Sequence, residues 1–201
     1  MILYVFYNTL TIIIKKDFVS WRINLDIQAL LKNEIFLEDD TLITSKTDLK
    51  GKITYGNTDF IKYVGYSEEE FLGKPHSLVR HPFMPRAAFK LLWDTLHAKQ
   101  EFFAYVCNLT KTGTTYWVFT NVTPSFDEMG NVIGYYSVRR RPSKAGVEAS
   151  IGVYQQLLEI EKNGAMENSV QFVIDFLTQN QTTWGKLMAD LQAQGKVGGY
   201  R

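Results

Sequence analysis

The pattern of hydrophobic and polar positions divides this chain into runs with strand character and runs with helical spacing. Residues 41–47 and 52–55 are short, strand-like and joined by a turn sequence, which predicts a β-hairpin. Three longer strand-like runs follow, at 102–110, 115–126 and 132–140. The connections between these runs are short and contain glycine, so we predict an antiparallel three-stranded meander.

Helical signals fill the space between the hairpin and the meander. Asn57 opens a brief helical stretch, and the spacing of Ser67 and Glu70 is that of a capping box. Residues 87–99 carry a broad apolar stripe and predict a longer helix. This order predicts an α+β fold, a five-stranded antiparallel sheet with short helices on one face.

Both ends of the chain lie outside this unit. Residues 1–14 are mostly apolar but too few for a membrane span, and 17–37 have the spacing of an amphipathic helix. After the last strand, 147–162 and 168–194 predict two helices separated by a break at 163–165. The expected organisation is an N-terminal extension over 1–37, a central domain over 38–142 and a C-terminal helical segment over 143–201.

Composition narrows the classes of function. The chain has 22 basic and 21 acidic side chains, so a net charge of +1 gives no footprint of a nucleic-acid binder. One cysteine, Cys107, excludes an internal disulfide framework and fits a cytoplasmic protein. The sequence shows no nucleophile–base spacing, metal-ligand cluster or phosphate-binding glycine loop, so we do not expect an enzyme. Aromatic residues make up 14%, which suits either a lined ligand cavity or a β-rich core.

Residues 79–86 form the most informative segment. Pro82 and Pro85 disfavour helix at the residues before them, so Arg80 and His81 are displayed from a stiff, non-helical backbone. Such display suits a binding site. The alternative is that Pro85 merely starts the next helix and that both side chains are solvated.

Several segments together carry a family resemblance. They are Asp40-Thr41-Leu42-Ile43, Thr47-Asp48-Leu49-Lys50-Gly51-Lys52-Ile53, Asn57, Gly65-Tyr66, Gly73-Lys74-Pro75-His76, Val79-Arg80-His81-Pro82, Met84-Pro85, Lys111-Thr112-Gly113, Tyr116-Trp117-Val118 and Gly134-Tyr135. In order and spacing they resemble a PAS sensor domain. Within that superfamily they look most like the FAD-binding domain of aerotaxis and energy-taxis receptors of the Aer type.

The resemblance implies that FAD is held non-covalently between the sheet and the covering helices. The matching positions are Asn57, Arg80, His81, Trp93, Asn108 and Trp117. Phe83 stands where the best-known receptors of this type have an acidic residue, and loss of that carboxylate is expected to alter cofactor affinity or potential.

The residues themselves leave alternatives open. Asn57 could equally cap a helix, and His81 could be structural. Trp93 and Trp117 could belong to the core rather than to a cofactor site. Asn108, on a predicted strand, is either a ligand contact or a satisfied core amide.

By resemblance, the expected function is a redox, oxygen or energy sensor for chemotaxis signalling. A flavin ring nitrogen changes from hydrogen-bond acceptor to donor on reduction. The Asn108 amide would then have to present its oxygen instead of its nitrogen. Expected partners are a membrane-bound methyl-accepting transducer or another HAMP-containing protein, through which the protein could associate with the membrane, and a second copy in a homodimer. The alternatives are a haem-binding gas sensor with His76, His81 or His97 as axial ligand, and a ligand-free interaction module.

Overall fold

The computed structural model of this protein describes residues 34–197. The predicted lead helix over 17–37 lies almost wholly outside them, as does the apolar run 1–14. The last residues of the predicted lead helix are not helical. Glu34 forms a parallel bridge with Thr115, and the N–H of Ile35 donates to the carbonyl of Thr115 at 2.9 Å.

One antiparallel sheet forms the centre of the fold. Its strands are β1 (Ile43–Thr47), β2 (Ile53–Gly56), β3 (Phe102–Leu109), β4 (Thr115–Phe126) and β5 (Val132–Arg140). They lie side by side in the order β2-β1-β5-β4-β3. The predicted hairpin and meander are therefore confirmed, and β1 joins them by pairing with β5.

Short helices between β2 and β3 cover one face of the sheet, which we call the inner face. They are α1 (Thr58–Val64), α2 (Glu68–Phe71), a 3₁₀ helix (His76–Val79) and α3 (Arg86–His97). Both predicted caps are present: the side-chain Oδ1 of Asn57 accepts from the N–H of Phe60, and Ser67 and Glu70 form the capping box. Phe60, Val64 and Phe71 are buried in the core beneath them.

Three helices follow β5; the first and third pack against β3 on the opposite, outer face, and the second packs against the first and against α3. They are α4 (Lys144–Asn163), α5 (Met166–Gln179) and α6 (Trp184–Val197). The prediction of one helix over 168–194 is therefore wrong. Gln181 has a left-handed backbone with φ of 49°, and the Thr183 hydroxyl accepts from the N–H of Lys186 at 3.2 Å. The chain turns between these residues and starts a new helix.

The period of two along each strand separates two cores. On β3, Val106 and Asn108 face inward, whereas Tyr105 and Cys107 face outward into a second core under the C-terminal helices. Among residues 34–197, no helix is long and apolar enough to span a membrane.

The proline-containing segment runs along the free edge of β3. The N–H of His81 donates to the carbonyl of Cys107 at 3.4 Å, and the N–H of Cys107 donates to the sulfur of Met84 at 3.3 Å. Arg80 forms a bridge with Asn108 in the same arrangement. The segment thereby pairs an edge strand whose backbone groups would otherwise be open.

Candidate functional site

A cavity of about 280 Å³ lies between the inner face of the sheet and α3. Ligand pockets typically run from roughly 300 to 1,000 Å³, so this volume suits one fused ring system rather than a whole dinucleotide. The sheet supplies Ser45, Thr47, Val106, Asn108, Thr120, Val122, Tyr135, Ser137 and Arg139, and the helical side supplies Pro75, His76, Ser77, Arg80, Phe89, Leu92, Trp93 and Leu96.

Three polar side chains on the cavity floor have no hydrogen-bond partner among the described residues. The hydroxyls of Thr120 and Ser137 are buried and unpaired. The amide of Asn108 is also unpaired, although the residue is only 4% exposed. Buried polar groups in native proteins nearly always have a partner in the protein or in ordered water, so these three mark the floor as a place where a bound polar molecule or water supplies the missing hydrogen bonds.

Arg139 places a positive charge in the same floor. Its guanidinium donates to the hydroxyl of Ser45 at 3.0 and 3.1 Å and to Nε2 of His76 at 2.8 Å. It has no carboxylate partner in the part of the chain that the structure describes. Burial lowers the pKa of Arg139 to about 10, so the side chain stays charged at neutral pH.

His76 is neutral because it is buried next to this positive charge. A guanidinium only donates hydrogen bonds, so Nε2 of His76 must accept and the ring proton lies on Nδ1. Burial, followed by the charges of Arg139 and Arg80, lowers the pKa of His76 to about 3. The cavity therefore presents donors and positive charge, with no anion of its own, to whatever binds there.

Aromatic side chains form the opposite wall and the mouth. The guanidinium of Arg80 lies 3.5 Å from the ring centre of Phe89, and desolvation lowers its pKa. Trp93 contacts Tyr135 edge to face at 5.4 Å. Gly51 passes directly beside Trp93 with φ of 73°, and a Cβ there would lie 3.3 Å from the indole. Flat apolar surface thus faces the polar floor.

The cavity brings together Arg80, Trp93 and Asn108 and leaves out the other three predicted positions. Asn57 is a cap whose amide also donates to the carbonyl of Leu42 at 2.7 Å. Nδ1 of His81 accepts a hydrogen bond from the N–H of Phe83 at 3.0 Å, and the residue lies outside the cavity. Trp117 faces outward.

The outer core also contains Phe83, which is 2% exposed and contacts Trp117 edge to face at 6.2 Å. It lies 6.4 Å from Tyr154 of α4. This position packs the C-terminal helices and does not line the cavity, and the effect of the missing carboxylate on cofactor affinity or potential stays a prediction.

Sequence reasoning missed most of the polar floor, where Asn108 alone was a predicted FAD position. Ser45, His76, Thr120, Ser137 and Arg139 line the cavity but were not among the predicted positions. A signal was present: polar residues recur at every second position inside otherwise apolar strands. Thr120 also pairs with Arg139 across β4 and β5, which only the register reveals.

None of the three histidines offers a free nitrogen to a haem iron in the cavity. Nε2 of His76 is engaged by Arg139, and His81 lies outside. His97 is exposed at the end of α3 beside Trp93. Within residues 34–194, no cluster of three or more metal-ligating side chains occurs.

Comparison with known proteins shows which family and which proteins this chain is similar to. Residues 53–139 match the family model described as PAS fold. The chain is 40% identical to the aerotaxis receptor of Escherichia coli K12 over 121 residues, which are 60% of this chain and 24% of that receptor. It is 28% identical to the nitrogen fixation regulatory protein of Klebsiella pneumoniae over 104 residues, 52% of this chain and 21% of that protein.

A solved light-oxygen-voltage domain, studied with a flavin analogue, aligns with a TM-score of 0.47 at 23% identity, covering 61% of this chain and 86% of that one. The chain spans about a quarter or less of the length of the curated relatives reported above.

Proposed function

Because residues 53–139 form a PAS domain, as the sequence resemblance predicted, we propose that this protein is a flavin-based redox sensor whose inner-face cavity holds the isoalloxazine ring of FAD. The single observation that carries the proposal is the set of unpaired polar groups on the cavity floor: Asn108, Thr120 and Ser137. They face flat apolar side chains of α3 across a space the size of one fused ring system.

The residues fit an isoalloxazine ring. A flavin has apolar faces and one edge rich in acceptors and donors, and α3 offers apolar surface while the floor offers polar groups. Arg139 can only donate, so it fixes where an acceptor atom of the ring must lie. Arg80, at the mouth, has a guanidinium fork suited to a pyrophosphate.

When bound, the flavin supplies reversible uptake of electrons and protons, by which a hydrogen-bond acceptor on the ring becomes a donor. Asn108 is the floor residue that can answer such a change, because its amide carries an acceptor and a donor on one rotatable group. Turning the amide changes its contacts on β3 next to Arg80. The shift is limited to the difference in contact energy between the two redox states.

The proposed physiological role is energy or oxygen sensing in chemotaxis. It is supported by the 40% identity to an aerotaxis receptor. The proposed partner is a membrane-bound methyl-accepting or HAMP-containing transducer, and a homodimer is a further proposed assembly. Recovery of such a transducer with the tagged protein tests this step; signalling in cells that lack every transducer would contradict it.

The absorption spectrum of the purified protein, with mass identification of the released molecule, tests the ligand. Flavin bands and the mass of FAD are expected. A Soret band would show that the ligand is haem instead of flavin. Colourless protein that takes up no FAD would favour the ligand-free interaction module.

Asn108→Ala tests the mechanism, with Asn121→Ala as its matched control. Asn121 is an amide on the adjacent strand that bonds to Glu101 outside the cavity. The Asn108 variant is expected to keep at least weak FAD binding but to lose the response of partner binding to reduction. An unchanged response would remove Asn108 from the mechanism.

A further inference from the structure

The helix that forms the cavity wall lacks a cap of its own. The first N–H groups of any helix have no partner inside it, and a polar side chain at the N-cap normally supplies one. In α3 the N-cap residue is Pro85, which has no side-chain acceptor. The N–H groups of Arg86 and Ala87 therefore need a partner from elsewhere.

Glu161, in the last turn of α4, supplies that partner. One carboxylate oxygen accepts from the N–H of Ala87 at 2.8 Å and from the Ser169 hydroxyl of α5 at 3.1 Å. The other accepts from the N–H of Arg86 at 2.9 Å and from its Nε at 3.3 Å. The side chain is only 5% exposed. A carboxylate is also the favoured charge at a helix N-terminus.

The capped helix, α3, forms one wall of the cavity. Phe89 follows one turn after Arg86, and Phe89, Leu92, Trp93 and Leu96 all line the cavity. Arg80 at the mouth stacks on Phe89. A displacement of α3 by a ligand would therefore move the N–H groups that Glu161 holds.

We propose that Glu161 is a positioning residue for the cavity and that its cap on α3 couples the cavity to the docking of the α4–α5 elbow, residues 161–169. The coupling rests on the proposed function in so far as the ligand is FAD. Coupling between two sites is reciprocal. Bound FAD should therefore favour the docked elbow by the same factor by which the Glu161 cap raises the affinity for FAD.

Glu161→Ala tests the cap, with Glu148→Ala as control, because Glu148 is an exposed carboxylate on the same helix. In ligand-free protein, amide hydrogen exchange should accelerate in the first turn of α3 and also in its cavity-lining half, residues 89–96. FAD affinity should fall about fivefold or more, a typical allosteric coupling. The control should match the parent in both measurements.

A second variant separates coupling from simple helix stability. Pro85→Ser in the Glu161→Ala background offers α3 a hydroxyl cap from its own sequence. Slow exchange in the first turn of α3 should return. FAD should still fail to slow exchange in residues 161–169, whereas it slows exchange there in the parent.

The outcomes separate the two proposals. Faster exchange confined to residues 86–88, with 89–96 unchanged, overturns the coupling whether or not flavin binds. FAD affinity within twofold of the parent in Glu161→Ala, or full recovery of the elbow response with Pro85→Ser, also overturns it. A parent that binds no FAD overturns the proposed function, while faster exchange through 89–96 would still support control of the cavity wall by Glu161.

Discussion

The two faces of the sheet differ in whether their buried polar side chains have hydrogen-bond partners. On the inner face, Asn108, Thr120 and Ser137 are buried without partners. On the outer face, the hydroxyl of Tyr105 bonds to Ser143 at 3.0 Å and to Gln192 at 2.9 Å.

The outer face also has its backbone acceptors occupied by the C-terminal helices. The hydroxyl of Tyr154 donates to the carbonyl of Tyr105 at 2.6 Å, and the indole of Trp184 donates to the carbonyl of Phe103 at 2.6 Å. Burial raises the pKa of Tyr105 to about 12, so its hydroxyl remains a donor at physiological pH. The C-terminal helices thus satisfy the polar groups of β3 on the outer face. Among the described residues, the one buried side-chain hydroxyl without a partner on that side is Ser150 of α4, whereas the cavity floor of the inner face carries two such hydroxyls, Thr120 and Ser137, together with the unpaired Asn108 amide.

The largest expected effect falls on the outer face, at Gly146. A Cβ there would lie 2.0 Å from the Tyr105 ring and hydroxyl, so Gly146→Ala must push α4 off the sheet. We expect a loss of about 3 kcal/mol or more in the free energy of unfolding, at the upper end for overpacking. Chemical denaturation measures it.

The control for Gly146 is Gly185→Ala on α6, where a Cβ meets only Phe103 at 3.9 Å. That variant should gain up to about 1 kcal/mol from helix propensity. Equal stability of the two variants would contradict the tight packing of the outer face.

The second-largest expected effect is a loss of folding stability at acidic pH, which arises from His76 on the inner face. The ordinary pKa of His76 is 6.5, so the unfolded chain takes up a proton there below that pH, whereas the folded chain does so only near pH 3. Stability should therefore be unaffected above pH 6.5 and fall as pH drops from 6.5 towards 3, by up to about 1.4 kcal/mol per pH unit.

Denaturation curves between pH 6.5 and 5 isolate this effect from most carboxyl titrations. Burial also lowers the pKa of His81, which therefore contributes a slope of the same sign in this window. His76→Gln should reduce the slope and leave the part that belongs to His81, and His97→Gln, at an exposed position, should keep the slope of the parent. A slope in His76→Gln equal to that of the parent would assign the acid sensitivity to other groups.

The smallest effect compares one hydroxyl from each face. Tyr105→Phe removes a bonded hydroxyl and should cost about 1 kcal/mol, whereas Thr120→Val removes an unpaired one and should cost nothing or stabilise ligand-free protein slightly. Thermal or chemical unfolding of both variants checks the order. A clear loss for Thr120→Val would mean that its hydroxyl already has a partner.

The fold was largely predictable because its signals are local. Asn57, the Ser67–Glu70 capping box and the glycine turns each specify their own element, and the structure confirms all of them. The break between α5 and α6 was missed because Asn180, Gln181 and the threonines after them give a weaker signal than the apolar stripe on either side.

The site was less predictable because it depends on register and on contacts distant in sequence. Asn108 and Arg80 could be identified from their neighbours, but Thr120 and Arg139 meet only through the pairing of β4 with β5. Glu161 reaches the start of α3 from 75 residues away, and no spacing rule points to it.

The most direct test of the account is a calorimetric titration of ligand-free protein with FAD. We predict one site per chain. Affinity should drop about tenfold or more in the double variant Thr120→Val, Ser137→Ala, where a buried ligand group loses its partners, and should be unchanged in the outer-face variant Tyr105→Phe. Absence of FAD binding, or an equal drop in both variants, would contradict the claim that the inner face is the incomplete one.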